Sequence, residues 1–121
     1  MERYQILIVD DSPAAQQGLR ALLGIQSGIE VVGEASNGWQ ALCLVERHQP
    51  DIVLVDVMMP DLDGIETTRL IKQRWPHIRV VVLSMNASYR AQALAAGADA
   101  FVSKADPPEQ WLPIITGEQA V

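Results

Sequence analysis

The 121-residue sequence predicts an α/β fold in which helices cover both faces of a five-stranded parallel sheet. Short β-branched runs alternate with longer segments whose apolar residues recur at helical spacing. Four of the five runs are almost continuously apolar, which is typical of strands covered on both faces. Regular β-α alternation with short links implies a parallel sheet with right-handed crossovers. At this length the best fit is a doubly wound, flavodoxin-like (βα)5 three-layer sandwich with strand order 2-1-3-4-5.

The β-branched runs and the helical segments give the element boundaries. The strands are predicted at residues 5–10, 30–35, 52–57, 79–84 and, more weakly, 100–103. The first four helices are predicted at residues 12–23, 38–48, 63–75 and 88–96. Each helix stops where a helix breaker follows: Gly24, Pro50, Pro76 and Gly97 in turn. Glycine favours the left-handed conformation that ends helices, and proline cannot continue them.

The fifth helix has a well-formed start and an interrupted middle. Asp106 is predicted as its N-cap, with Pro107 at the first helical position and Glu109 three residues after the cap. Pro113 removes a backbone donor and would cost roughly 3 kcal/mol inside a helix. We therefore expect a short or kinked helix around residues 111–115.

Composition excludes several functional classes. Nine Lys and Arg against fifteen Asp and Glu give a net charge of −6, so direct nucleic-acid binding is not expected. No apolar stretch is long enough to cross a membrane, and the first residues lack a signal peptide. The single Cys43 lies in an apolar run and is interpreted as a buried thiol in a reducing compartment. Residues 1–121 are predicted to form one cytoplasmic domain.

Acidic residues stand at the ends of two predicted strands. Asp10 and Asp11 end the first strand, and Asp56 lies near the end of the third. These strands are neighbours where the winding of the sheet reverses, so the three carboxylates should converge. A pair of carboxylates about 4 Å apart repels by roughly 4 kcal/mol near a protein surface. Lys104, after the fifth strand, or a hard divalent cation must offset this repulsion.

The oxygen-rich cluster favours Mg²⁺ as the cation. Two or three carboxylates with room for water suit magnesium better than the larger coordination cage of calcium. Zinc is disfavoured because the region lacks Cys and His, and His48 and His77 are expected to be solvated in loops beside prolines.

Asp56 is the strongest candidate for a nucleophile. A carboxylate inside an apolar run would otherwise be a liability. Beside a divalent ion, such a carboxylate can attack phosphorus. Lys104 and the Ser84 hydroxyl, both at strand ends, could then bind the oxygens of an aspartyl phosphate.

Four motifs, in this order and spacing, resemble those of two-component response-regulator receiver domains. They are ILIVDD at 6–11, DVMMPDLDG at 56–64, VVVLS at 80–84 and FVSK at 101–104. The resemblance covers about residues 4–116. The LSM and GADAF segments, at 83–85 and 97–101, are most similar to receivers that precede a helix-turn-helix DNA-binding output domain.

The resemblance implies a role for each residue that matches a family motif. Asp56 would be the phosphoacceptor, and Lys104 would be the family's invariant lysine. Ser84 would be the hydroxyl switch that moves toward the phosphate, and Phe101 the aromatic switch coupled to it. The implied Mg²⁺ ligands are the carboxylates of Asp10, Asp11 and Asp56 and the backbone carbonyl of Met58.

The resemblance also implies partners. A sensor histidine kinase would donate the phosphoryl group, and the face formed by the fourth helix, fifth strand and fifth helix would then change its partner preference. Dimerisation on phosphorylation and a DNA-binding output domain outside these residues are further expectations. The chain would act on no separate substrate, and its only chemistry would be its own phosphorylation and dephosphorylation.

Some residues depart from the family pattern. Ala105 follows the lysine where many receivers have proline, so a trans Lys104–Ala105 bond is expected. Met58 and Asn86 are expected to flank the solvent approach to the phosphate and to affect its lifetime. Pro113 falls in the signalling face, where Trp111 and Ile115 are expected to be exposed; that surface is then either altered or completed by a partner.

Other interpretations of the same residues stay open. Asp10 and Asp11 could serve to cap a helix, and Asp56 could be a buried structural carboxylate. Asp61 and Asp63 are expected to form a turn and a helix cap. A receiver-like interaction scaffold that does not switch by phosphorylation is the main functional alternative. A phosphatase would need an acid or base where Met58 stands, and a flavodoxin-like cofactor binder would need a phosphate-binding loop after the first strand.

Overall fold

The computed structural model describes residues 3–118, so the two ends of the predicted 1–121 domain lie outside it. Five strands form one sheet: β1 (Tyr4–Val9), β2 (Ile29–Ala35), β3 (Ile52–Asp56), β4 (Arg79–Ser84) and β5 (Ala100–Ser103). Five α-helices alternate with them: α1 (Pro13–Gly24), α2 (Gly38–His48), α3 (Gly64–Arg74), α4 (Arg90–Ala95) and α5 (Trp111–Thr116).

The sheet is parallel throughout, with the predicted order β2-β1-β3-β4-β5. The fold class is therefore confirmed. Strands β1 and β3 lie side by side in the middle, with Val9 paired to Val55. Both strands thus end at the same edge of the sheet, which places the residues that follow them next to each other.

Alternate side chains of the central strands lie on opposite faces of the sheet and belong to two apolar layers. One layer packs the sheet against α2, α3 and α4, and includes Leu7, Val53 and Val80. The other packs the sheet against α1 and α5, and includes Ile8 and Leu54. Because both faces are covered, the central strands carry the nearly unbroken apolar runs seen in the sequence.

Side chains that cap three helices fix the loops at this edge. Ser12, Asn37 and Asp63 are the N-caps of α1, α2 and α3, and each side chain accepts a hydrogen bond from a first-turn amide. Asp61 adopts a left-handed conformation with φ of 68°, which agrees with the turn expected before α3. The interpretation of Asp61 and Asp63 as turn and cap residues is confirmed.

The last two helices differ from the sequence prediction at their starts. A 3-10 helix at Ala87–Tyr89 precedes α4, and another at Pro108–Gln110 precedes α5. Asp106 is not an N-cap, because the helical segment begins two residues later and no side chain caps it. The predicted short fifth helix is confirmed, since α5 has six residues.

Two expectations about exposure are wrong. Ile115 is fully buried in the layer beneath α5, and Trp111 is only partly buried against it. Cys43 is exposed, since Ala41 and Val45 take the core side of α2 and a residue two positions from each points away.

The Lys104–Ala105 bond is trans as expected, because no cis peptide bond occurs between residues 3 and 118. No helix in this range is long and apolar enough to cross a bilayer.

Candidate functional site

Three carboxylates meet at the edge where β1 and β3 end. Asp10 and Asp11 follow β1, and Asp56 is the last residue of β3. One oxygen of each carboxylate can be chosen so that all three lie within 4.8 Å of one another. Asp10 is buried, Asp56 is intermediate and Asp11 is exposed, so the cluster opens to solvent on one side. The structure thus brings together the three acidic residues that the sequence predicted would converge.

Lys104 is the cation that the structure places in this cluster. Its ammonium nitrogen lies 3.1 Å from Asp10 Oδ2 and 3.7 Å from Asp56 Oδ1. The Lys104 backbone amide donates to the Ser84 carbonyl at 2.8 Å, which ties the residue to the end of β4. The side chain is 18% exposed, so this ion pair is shielded more than a surface pair.

Asp10 is held at both carboxylate oxygens. Its Oδ1 accepts a hydrogen bond from the Ser12 amide at 2.9 Å, while Lys104 approaches Oδ2. The residue is only 2% exposed, so these partners replace water. The Ser12 hydroxyl in turn caps α1. Ser12 is therefore the residue that caps α1, and the Asp10 carboxylate belongs to the acidic cluster.

The pKa of Asp56 is raised above the usual value for an aspartate, mainly because the carboxyl group is partly buried. The Lys104 charge lowers that pKa, and the Asp10 and Asp11 charges raise it. A hydrogen bond from the Met58 backbone amide lowers it further. Burial and the two carboxylate neighbours outweigh the opposing effects of the Lys104 ammonium and the Met58 amide on this pKa.

Ser84 and Phe101 lie on the two strands beside this cluster. Ser84 ends β4 one residue beyond Leu83, the register partner of Asp56. The Ser84 hydroxyl is buried, and its oxygen accepts from the Asn86 amide at 3.0 Å. Phe101 on β5 pairs with Val82 and is buried on the sheet face that packs against α4. The two side chains are therefore two register positions apart on neighbouring strands.

A contact that the sequence did not indicate crosses the mouth of the site. Met58 is 63% exposed, and its sulfur accepts a hydrogen bond from the Tyr89 hydroxyl at 3.6 Å. Tyr89 belongs to the 3-10 turn after β4, so this contact links the loops that follow β3 and β4. The sequence of this turn has no hydrophobic periodicity, so the contact between Tyr89 and Met58 could not be predicted from it. Asn86 is exposed at the same edge.

The donor set of the cluster suits Mg²⁺. All three side chains offer hard oxygen ligands, and none is a Cys or a His. His48 and His77 are exposed elsewhere. Three carboxyl groups share the single Lys104 ammonium, so a further positive charge would be electrostatically favourable here.

Fold and site together define a class of protein. The chain matches the family model for the response regulator receiver domain over residues 6–115. It therefore belongs to this family, and the resemblance drawn from the sequence motifs is confirmed.

Similarity to particular proteins agrees with this assignment. The chain is 36% identical over 104 residues to the transcriptional regulatory protein DegU of Brevibacillus brevis, covering 84% of this chain and 44% of that protein. It also resembles a LuxR-family two-component response regulator from Aurantimonas sp. SI85-9A1, with a TM-score of 0.89 and 32% identity, covering 99% of this chain and 90% of that one. A chain from the CheX-CheY-BeF3-Mg+2 complex of Borrelia burgdorferi has a TM-score of 0.88 and 25% identity, with 98% and 92% covered.

The chain spans about half the length of the curated relatives it matches. The receiver domain is thus the part of such regulators that these residues represent.

Proposed function

We propose that this receiver domain is a signalling switch that accepts a phosphoryl group on Asp56 with the aid of Mg²⁺. The observation that carries the proposal is the position of Lys104, 3.1 Å from Asp10 and 3.7 Å from Asp56. The three converging carboxylates supply an attacking oxygen and ligands for a cation. The Lys104 ammonium is a hydrogen-bond donor that can turn toward phosphoryl oxygens.

The proposed phosphoryl transfer is a single displacement at phosphorus. An Asp56 carboxylate oxygen forms a bond to phosphorus while the bond from phosphorus to the donor group breaks, and the donor group leaves with the electron pair of that bond. The donor is a phosphohistidine of a sensor histidine kinase, or a small acyl phosphate in the test below. Bound Mg²⁺ would neutralise phosphoryl oxygens and align the donor.

The protein groups of the site each have a proposed task. Asp10, Asp11 and Asp56 would hold the ion together with the backbone carbonyl of Met58. The Lys104 ammonium then moves from its carboxylate partners to a phosphoryl oxygen. The chain turns over no separate substrate, so its chemistry is limited to its own phosphorylation and dephosphorylation.

The switch would run from the phosphate to the surface formed by α4, β5 and α5. Ser84 would exchange its hydrogen bond with the Asn86 amide for one to the phosphate, and Phe101 on the adjacent strand would follow. Phosphate adds charge and acceptor oxygens, which can bias a surface that has two arrangements. Dimerisation through this face is one proposed consequence.

The output is proposed to be transcription. DegU is named a transcriptional regulatory protein, and the Aurantimonas relative is assigned to the LuxR family. A DNA-binding region outside residues 3–118 would then carry the output, while the receiver itself does not touch nucleic acid. The proposed location of such a regulator is the cytoplasm.

Intact mass measurement tests the phosphoacceptor. Wild type, Asp56→Asn and Asp61→Asn are incubated with Mg²⁺ and acetyl phosphate. Asp61→Asn is the matched control, because Asp61 is exposed and asparagine tolerates its left-handed backbone. We expect one phosphoryl adduct on wild type and Asp61→Asn, and none on Asp56→Asn or after chelation.

Two results would contradict the proposal. An adduct of equal yield on Asp56→Asn would place the phosphate elsewhere. No adduct on wild type, under conditions where Mg²⁺ binding is measured directly, would favour a receiver-like interaction scaffold.

A further inference from the structure

Gln16 makes contacts that fix the end of β1, where the acidic pair begins. Its side-chain nitrogen donates to the Asp10 carbonyl at 2.6 Å. The same nitrogen lies 3.3 Å from the Ala35 carbonyl and 3.4 Å from the Ser36 hydroxyl. The orientation of the amide group is determined by these neighbours, since two of the three are carbonyl oxygens that only accept.

These contacts join three elements at one point. Gln16 belongs to α1, Asp10 follows β1, and Ala35 ends β2. The Ala35 carbonyl also accepts from the Asp10 amide at 3.0 Å. Asp10 is therefore held through its amide by Ala35 and through its carbonyl by Gln16.

The network continues into the next loop. The Ser36 amide donates to the Gln40 side-chain oxygen at 2.7 Å, and the Gln40 amide donates to the N-cap Asn37. Gln16 therefore ties the β1–α1 corner to the β2–α2 corner. The buried Asp10 lies just beyond the end of β1, and there the Gln16 side chain donates a hydrogen bond to its carbonyl.

We infer that Gln16 is a positioning residue for the cation site, because it sets the backbone on which the Asp10 and Asp11 carboxylates are mounted. The inference rests on the proposed function in so far as the cation is Mg²⁺. Gln16 itself does not reach the cluster. Its effect passes through the Asp10 carbonyl to the two carboxylates, whose oxygens must stay within a few ångströms of a common point.

The test uses Gln16→Met, which keeps an unbranched side chain of similar length and removes the donor. Gln17→Met is the matched control, because the adjacent Gln17 is exposed on α1. Mg²⁺ affinity is measured by isothermal titration calorimetry. We expect Gln16→Met to bind Mg²⁺ roughly tenfold more weakly, as is usual when a residue that orients a metal ligand is removed, and Gln17→Met to match wild type.

A second measurement does not depend on the metal. Amide hydrogen exchange at Asp10 and Ser12 should become roughly fivefold faster in Gln16→Met, relative to the Val82 amide in the centre of β4. A role in general stability alone would speed exchange at all three amides equally. That result, or Mg²⁺ affinity of Gln16→Met within about twofold of wild type, would overturn the inference.

The two proposals fail in different ways. Wild type that binds no Mg²⁺ would contradict the proposed function, and the exchange measurement would still decide whether Gln16 holds the Asp10 corner. Wild type that binds Mg²⁺ alongside an equally tight Gln16→Met would contradict the positioning role alone.

Discussion

The Lys104 ammonium lies closer to Asp10, at 3.1 Å, than to the proposed phosphoacceptor, which is 3.7 Å away. Its first partner is therefore the most buried carboxylate of the cluster, with 2% exposure. This arrangement compensates the charge that has lost most of its hydration. It also leaves Asp56 with less compensation, which agrees with the raised pKa of that carboxyl group.

Removal of the Lys104 ammonium should destabilise the fold. Lys104→Met leaves Asp10 buried without its ion-pair partner, and we expect the free energy of unfolding to fall by about 1–3 kcal/mol. Urea denaturation at neutral pH measures the change. Saturating Mg²⁺ should restore part of the loss, because it replaces the missing positive charge. The exposed Arg47 on α2 supplies a control, since Arg47→Met should leave stability nearly unchanged. Equal stability of Lys104→Met and wild type would contradict this account.

The raised pKa of Asp56 predicts a pH-dependent stability. Its folded-state pKa exceeds the unfolded value, so its contribution is favourable below the unfolded pKa and is lost as pH rises through the folded pKa. At neutral pH the ionised carboxylate is therefore a cost that asparagine lacks. We expect Asp56→Asn to raise the Tm by a few degrees at pH 7.5 without Mg²⁺, and the difference to shrink toward pH 4.

A pH series of thermal melts checks this dependence. Asp61→Asn serves again as control, since Asp61 is exposed and lies outside the cluster. Saturating Mg²⁺ should reduce the advantage of Asp56→Asn, because wild type then gains binding free energy. A Tm advantage that grows as pH falls would have the wrong sign for a raised pKa.

The sheet and the acidic cluster could be predicted because they depend on simple regularities. Strands covered on both faces must be apolar along their length, and their carboxyl ends must meet at one edge. Asp10, Asp11 and Asp56 are therefore brought together by strand order alone. The prediction needed no knowledge of side-chain conformation, which is why the structure agrees with it.

Features that depend on local packing could not be predicted in this way. Cys43 lies in an apolar run, and only the helix phase set by Ala41 and Val45 turns it outward. Ile115 follows Pro113, which suggested a disturbed helix, yet α5 forms as one short helix with Ile115 fully buried in the core. The amide contacts of Gln16 join residues from three elements, and no periodicity reports such a junction.

Asp11 should matter more for the cation than for the fold. Its side chain is exposed and adds repulsion to Asp56. We expect Asp11→Ala to weaken Mg²⁺ binding by at least about tenfold, while the Tm without Mg²⁺ stays equal or rises. Calorimetric titration measures the affinity. Glu30→Ala, at the opposite end of β2, should bind as wild type does. Full Mg²⁺ affinity in Asp11→Ala would remove Asp11 from the ligand set.

Ser84 should link phosphorylation to the α4–β5–α5 surface. The Ser84 hydroxyl oxygen accepts a hydrogen bond from the Asn86 amide, so Ser84→Ala loses one partly buried hydrogen bond and about 1 kcal/mol of stability. We expect this variant to take up phosphate from acetyl phosphate but to lose the phosphate-dependent change in hydrogen exchange across residues 86–101. Ser88→Ala, an exposed serine in the following turn, should keep that change. An undiminished response in Ser84→Ala would exclude Ser84 as the coupling group.

Two glycines should respond in opposite ways to the same added methyl group. A Cβ on Gly64 would lie 2.7 Å from the carbonyl carbon of Asp56 and closer still to its oxygen, so the backbone that carries the proposed phosphoacceptor would have to move. We expect Gly64→Ala to cost about 1–3 kcal/mol and to lower the yield of the phosphoryl adduct. A Cβ on Gly18 meets no atom within 4 Å on the exposed side of α1. Gly18→Ala should therefore raise the free energy of unfolding by about 0.5–1 kcal/mol and leave adduct formation unchanged. Urea denaturation and intact mass on both variants test the pair. If Gly64→Ala were as stable and as readily phosphorylated as Gly18→Ala, the close approach of α3 to the end of β3 would not position Asp56.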